Sequence, residues 1–272
     1  MTPRLLIIRL IVVTLWLSLC PVTWAELAQD EAESLFGQAN EAFTLANAQK
    51  DASQAGAQFG RSILLFERLI QEGDIHNAKL YYNLANAYLH NHNIGKAILN
   101  YRRAEALDQN NADIQKNLAF ARSRRIDQVD LETQTRILHT LFFWHYDFSL
   151  QTRFALACCF FGLACTGLAL LLWRTRRSAY LITAVISLGL SIAVGLSIAV
   201  TQVQIKTTRY GVITAPQVTA RQGDSESFPP SFKDPLHAGT EFLLLETRPN
   251  WLHIQLDNGS KAWIPDEAGE GI

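Results

Sequence analysis

The sequence predicts a multidomain protein in which an all-α helical repeat, a two-helix transmembrane hairpin and a small all-β barrel follow one another. Three observations predict this order. Large and small apolar residues recur at helical spacing in the first part of the chain, and two uncharged apolar runs follow. The last part consists of short strand-type runs separated by turn residues.

The composition fits soluble parts joined to membrane parts better than a single globule. Of 272 residues, 49% are apolar and only 18% are charged. The formal net charge of -1 gives no reason to expect nucleic acid as a partner. All four cysteines, Cys20, Cys158, Cys159 and Cys165, lie in apolar runs. The predicted soluble segments therefore have no disulfide framework, cysteine nucleophile or thiolate zinc site.

Residues 1–25 have the pattern of a secretory signal peptide. Arg4 and Arg9 precede the apolar stretch LIVVTLWLSL, and the segment ends at small Ala25 with Thr23 two residues before it. These features predict export and cleavage after Ala25. An uncleaved anchor helix is the alternative.

Residues 154–173 and 179–200 are uncharged, and each run is long enough to cross a bilayer as a helix. The loop between them, residues 174–178, contains Arg174, Arg176 and Arg177. Short arginine-rich loops lie on the cytoplasmic side, so both soluble parts are expected outside the cytoplasm, in the periplasm. The alternative is a helical hairpin buried in a soluble core.

Small residues recur at every fourth position in both apolar runs, which predicts that the two helices pack closely. They are Cys158, Gly162 and Thr166 in the first run and Ser187, Ser191 and Gly195 in the second. The preceding residues, 126–153, are predicted as a linker and an aromatic juxtamembrane segment. Its rings, among them Phe142, Phe143, Trp144 and Tyr146, favour the membrane interface.

Residues 26–125 are predicted to form the helical repeat domain, and residues 78–111 are its clearest unit. Its length is about 34 residues, and its two helices each present one apolar face. These faces comprise Tyr81, Leu84, Ala85 and Tyr88 in the first helix and Ala97, Tyr101 and Ala104 in the second. The unit resembles a tetratricopeptide repeat and departs from that signature at the last position, where Gln109 replaces the usual proline.

A degenerate unit precedes this repeat and a closing helix follows it. Residues 35–43 and 61–73 are predicted as helices that the insertion QKDASQAGAQ separates. Beyond residue 111, Ile114, Leu118 and Ala121 share one helix face. We therefore expect five helices in a right-handed stack with one concave surface.

The tetratricopeptide resemblance implies that the concave groove binds protein. The implied groove residues are Lys79, Tyr82, Asn83, Asn86, Leu89 and His90. Asparagine and lysine side chains are suited to hold a peptide backbone or a carboxylate. A merely solvated helix face is the alternative, and a metal site at His90 and His92 would need further ligands.

Residues 201–272 are predicted as a small five-stranded barrel. The runs EFLLLETR, WLHIQL and KAWIP read as strands, and DNGS reads as a hairpin turn. The segment resembles a bacterial Src-homology-3-like domain through Gly239 before a strand, Trp251 opening the next, and Trp263 with Ile264 after the hairpin. This resemblance implies binding of peptides or cell-wall fragments through Trp251 and Trp263. Both tryptophans are equally compatible with a place in the core.

The full order of segments resembles the Bat aerotolerance family of bacterial membrane proteins, specifically its tetratricopeptide-containing, BatE-like members. The resemblance implies an inner-membrane role in tolerance of oxygen or oxidative stress. It also implies partners with von Willebrand factor type A domains and an associated MoxR-type ATPase. No catalytic constellation is visible, so we expect a non-enzymatic scaffold without cofactor or metal. The alternative is an envelope sensor or anchor whose C-terminal barrel binds peptidoglycan or peptides.

Overall fold

The computed structural model describes residues 29–129, 138, 140–171 and 177–272. The predicted signal peptide, most of the arginine-rich loop and part of the predicted linker lie outside these residues. The chain divides into two compact units, Met1–His76 and Asn77–Ile272.

The first unit contains two helices of similar length, α1 (Gln29–Ala48) and α2 (Ala52–Gln71). They pack through small residues on α1 and aromatic residues on α2, and the buried Ser62 hydroxyl donates to the carbonyl of Ala39 at 2.9 Å. The buried residues are Leu35, Ala39, Ala42 and Ala46 on α1 and Phe59, Ser62, Ile63, Phe66 and Leu69 on α2.

The predicted insertion between these helices is wrong for most of its length, because residues 52–58 belong to α2. Asp51 starts this helix by accepting hydrogen bonds from the amides of Ser53 at 2.8 Å and Gln54 at 3.3 Å. Such a cap satisfies amides that would otherwise lack partners at the helix start. The Asp51 cap was not recognised in the sequence as the start of this helix.

The second unit begins with α3 (Ala78–His90), α4 (Ile94–Leu107) and α5 (Ala112–Ser123). An asparagine side chain caps each of them: Asn77, Asn93 and Asn111 accept hydrogen bonds from amides in the first turn. The predicted apolar faces are confirmed. Their buried residues are Tyr81, Leu84, Ala85, Tyr88, Ala97, Tyr101, Ala104, Ile114, Leu118 and Ala121.

Two long apolar helices follow a short helix, α6 (Phe143–Tyr146): α7 (Leu150–Leu171) and α8 (Arg177–Thr207). Both are long and apolar enough to cross a membrane, with a mean hydropathy of 2.3 in each span window. Only 11% and 17% of these windows are buried. A core helix of a soluble domain would instead be mostly covered, so this exposure fits a lipid surrounding.

The two apolar helices pack against each other, as expected, but partly through other residues. The predicted face of α8 contributes Ser187, which is buried, and Ser191, whose hydroxyl donates to the Ala157 carbonyl at 3.0 Å. On α7 the predicted face is wrong, since Cys158, Gly162 and Thr166 are exposed. The buried positions there are Arg153, Ala164 and Gly167. A Cβ added to Gly167 would lie 3.1 Å from that of Ala184, which shows how close the helices are.

The C-terminal part, which we call the β-module (residues 209–272), contains a five-stranded antiparallel sheet in the order β6-β5-β4-β1-β7. Its strands are β1 (Arg209–Ile213), β4 (Glu241–Arg248), β5 (Trp251–Gln255), β6 (Lys261–Pro265) and β7 (Gly269–Gly271). A second, two-stranded sheet pairs β2 (Gln217–Val218) with β3 (Leu236–His237). The three strands predicted at residues 241–265 are present, and Gly259, with φ of 82°, lies in the predicted hairpin turn.

Candidate protein-binding surface

The six predicted groove residues all lie on α3, where their spacing distributes them over about three helical turns. Lys79 and His90, near the two ends, are exposed, whereas the four between them are half-buried. Burial and the nearby His92 lower the pKa of His90, which favours its neutral form.

Two of these residues join a polar network that connects α3, α4 and α5. The Asn117 amide on α5 donates to the Tyr82 hydroxyl oxygen and to Asn86 Oδ1, both at 3.0 Å. The Tyr101 hydroxyl on α4 also donates to Asn86 Oδ1. Asn86 is therefore the acceptor on which two neighbouring helices converge.

The electrostatics of the network favour a fixed arrangement of donors. Burial, assisted by the nearby Tyr82, raises the pKa of Tyr101, so its hydroxyl keeps the proton that it donates. With Asn86 Oδ1 occupied, the Asn86 amide group remains a donor and the Asn117 side-chain oxygen an acceptor. A peptide backbone presents the complementary groups at each residue. This part of α3 can therefore hold an extended segment of a partner by hydrogen bonds.

The β-module packs against α4 and α5, chiefly through the carboxylate of Glu241 on β4. Arg122 donates to it with two nitrogens at 2.7 and 2.8 Å, and Arg125 Nη1 donates at 3.3 Å. Arg102 Nε lies 3.2 Å from Glu241 Oε1, an ion-pair contact without hydrogen-bond geometry. Burial alone would raise the pKa of Glu241, but the three arginines outweigh it and lower that pKa.

Two further polar contacts extend this docking. Asp127, just beyond α5, accepts hydrogen bonds from the His237 amide at 2.6 Å and the Thr240 hydroxyl at 2.7 Å. At the other end, Glu270 on β7 pairs with Lys96 and Arg103 of α4. Burial of Asp127 is outweighed by these hydrogen bonds, so its pKa is also lowered.

The backbone of the β-module approaches α4 very closely. A Cβ added to Gly95 would lie 2.8 Å from the Ile213 carbonyl oxygen and 3.2 Å from the Ala238 Cβ. Gly239 has a φ of 92°, and a Cβ added to it would lie 3.0 Å from Ile98 Cδ1. Glycine suits this turn because other residues are strained at such a φ.

The basic docking face on α4 and α5 was not predicted from the sequence. It consists of Lys96, Arg102, Arg103, Arg122 and Arg125. Its acidic partners follow more than a hundred residues later in the chain. The spacing of the basic residues along α4 and α5 could have indicated a docking face. The same spacing is equally typical of a helix face that is exposed to solvent.

The two tryptophans proposed as ligand contacts have different surroundings. Trp263 is only 8% exposed; its ring stacks on His253 at 4.5 Å and lies 4.6 Å from the Arg248 guanidinium carbon. Trp251, opening β5, is half-buried. A ligand at this edge would therefore meet Trp251 more readily than Trp263.

The described residues combine a helical segment, two apolar helices and a small antiparallel β-module. A polar network joins α3, α4 and α5, and a salt-bridged docking face lies on α4 and α5. No model of a known protein family matches this chain. No curated protein is similar enough in sequence to count as a relative.

Proposed function

We propose that this protein is a non-enzymatic membrane scaffold that binds a partner protein through the groove on α3. The network of Tyr82, Asn86 and Asn117 carries the proposal, because it holds polar groups in fixed positions on a surface shaped by three helices. The alternation of large and small buried residues in α3 and α4 supports a tetratricopeptide-type groove. The strand order and core of the β-module support a Src-homology-3-like domain beside it.

The order of these parts supports membership of a Bat-type complex for tolerance of oxygen or oxidative stress. In this proposal α7 and α8 cross the bacterial inner membrane, and both soluble parts face the periplasm. The partners are membrane proteins with von Willebrand factor type A domains, and a MoxR-type ATPase associates with them. Protease added to spheroplasts then digests both soluble parts; protection of either one contradicts the orientation.

The groove is tested at one exposed and one half-buried residue of α3, Lys79 and Asn83. The double variant Lys79→Ala/Asn83→Ala removes a charge and an amide from α3. We expect it to lower the amount of cross-linked partner by about tenfold, as loss of a few central polar contacts does. The control Lys116→Ala/Asn110→Ala removes the same chemical groups from exposed positions on α5 and the turn before it. Equal partner recovery from both variants would rule out the α3 groove.

A further inference from the structure

Arg153, in the first turn of α7, is a nearly buried cation without an acidic partner among the described residues. Its side chain is only 5% exposed. Nη1 donates to the hydroxyls of Thr201 at 2.8 Å and Ser197 at 3.0 Å on α8 and to the Ser197 carbonyl at 3.5 Å. It also lies 3.3 Å from His145 Nδ1, and Nε is buried with no hydrogen-bond partner. None of these groups carries a negative charge, so this position favours an additional anion.

Arg153 contributes to the wall of a cavity of about 690 Å³ in the second unit. Polar and aromatic side chains surround this space. The wall residues used below are Arg102, Glu105, Asp147, Arg209, Tyr146 and Tyr210. Arg102 pairs with Glu105 and Glu241. Of the remaining charged side chains in the wall, Arg153 and Arg209 are positive and only Asp147 is negative. The cavity therefore has an excess of positive side-chain charge.

The position of the cavity indicates the kind of anion. Part of the wall comes from the adjoining ends of the two apolar helices, through Leu150, Arg153, Thr201 and Gln204. Other parts of the wall come from α4 and β1. Phospholipid headgroups lie where apolar spans end. Tyr146 and Tyr210 add aromatic rings of the type that favours this interface.

We propose that this cavity binds the phosphate of a phospholipid headgroup, with Arg153 as its buried ion-pair partner and Arg209 as a second cation. The phosphate oxygens accept charge-assisted hydrogen bonds from the guanidinium groups, which Arg geometry suits well. The acyl chains extend along the exposed apolar surface of α7 and α8. The bound lipid would thus hold the β-module and the spans in a fixed relation at the membrane surface.

The test measures lipid retained by the full chain. The protein is reconstituted in bilayers of phosphatidylglycerol and phosphatidylcholine and extracted in detergent, and bound lipid is counted by native mass spectrometry. Arg153→Gln should retain about tenfold less phosphatidylglycerol than the wild type, as loss of a charged hydrogen bond predicts. The matched control Arg124→Gln removes an exposed arginine of the helical segment outside the cavity wall and should retain lipid like the wild type.

Further arms separate the sources of phosphate and guard against misfolding. If inorganic phosphate or glycerol 3-phosphate at millimolar concentration displaces the lipid from the wild type, the site recognises free phosphate and the lipid is overturned as its ligand. If circular dichroism shows that Arg153→Gln does not fold, the exposed Arg209→Gln is used to test the site instead. We expect this variant to retain a few-fold less phosphatidylglycerol than the wild type. Retention equal to the wild type in every folded cavity variant overturns the site.

Discussion

Single residues in the proposed groove differ in how far they contribute to the framework of the three helices. Asn86 accepts hydrogen bonds from both Tyr101 and Asn117, so it belongs to the framework of three helices. Lys79 and His90 lie exposed at either end of the same helix. Binding experiments that replace Asn86 therefore change the groove and the fold together.

Asn86→Ala should lower the free energy of unfolding by about 1–3 kcal/mol, because the Tyr101 hydroxyl would lose its acceptor in a buried position. Asn110→Ala, at an exposed turn position, should change it by less than about 0.5 kcal/mol. Urea unfolding followed by circular dichroism compares the two. Equal stability of both variants would show that the Tyr101 hydroxyl finds another partner.

Glu241→Gln should destabilise the docked β-module by roughly 3 kcal/mol, because three arginines would then surround a neutral amide. The matched control is Glu246→Gln on the same strand, whose ion pair with Arg248 is nearly half exposed. An exposed pair contributes little to stability because water screens it, so this variant should stay close to the wild type. Thermal unfolding of both variants in the same detergent distinguishes them.

At the scale of elements, the contact between α4 and the β-module depends on how closely two backbones approach. Gly95 permits this approach in the first turn of α4, where its Cα faces the end of β1. Elsewhere in a helix glycine is a poor choice, since it costs about 1 kcal/mol relative to alanine. Its presence here is explained by packing rather than by helix formation.

Gly95→Ala should therefore destabilise the protein although it favours the isolated helix, because the new methyl group would overlap the Ile213 carbonyl. Gly60→Ala in α2 is the matched control: its added Cβ meets no atom within 4 Å, so it should stabilise by up to about 1 kcal/mol. Opposite signs of the shift in unfolding midpoint are expected. A stabilising effect at both positions would contradict the close approach.

Local sequence patterns were enough to predict most helices and strands. They did not predict the contacts between residues distant in the chain. The helical spacing of apolar residues predicted α3 to α5, and turn residues predicted the strands after Gly239. The small residues of α7 predicted close packing but selected the wrong face, because exposed small residues carry the same spacing. The docking of Glu241 was missed, since pairing between distant residues leaves no local pattern.

At the scale of the whole second unit, one docking surface depends on carboxylates that remain charged. Glu241 and Asp127 both have a pKa below their ordinary values of 4.5 and 3.8. A lowered pKa in the folded state stabilises the fold at pH values above the ordinary pKa. That stability is lost as the pH falls through the lowered value. Asp257 acts in the opposite direction, since burial and the nearby Glu241 charge raise its pKa.

Acidification should therefore release the β-module from α4 and α5 while the apolar helices stay folded. Docking should be complete above about pH 4.5 and weaken progressively below it, because the protonated carboxylates no longer balance the arginines. Spin labels at Asn110→Cys and Asn258→Cys, in a variant whose native cysteines are replaced by alanine, report the distance at each pH. In the background of Glu241→Gln the change in distance with pH should be smaller, since the main titrating group is gone. A distance that stays constant from pH 7 to pH 3 in the unmodified docking surface would show that apolar packing around Gly95 and Gly239, rather than charge, holds the β-module.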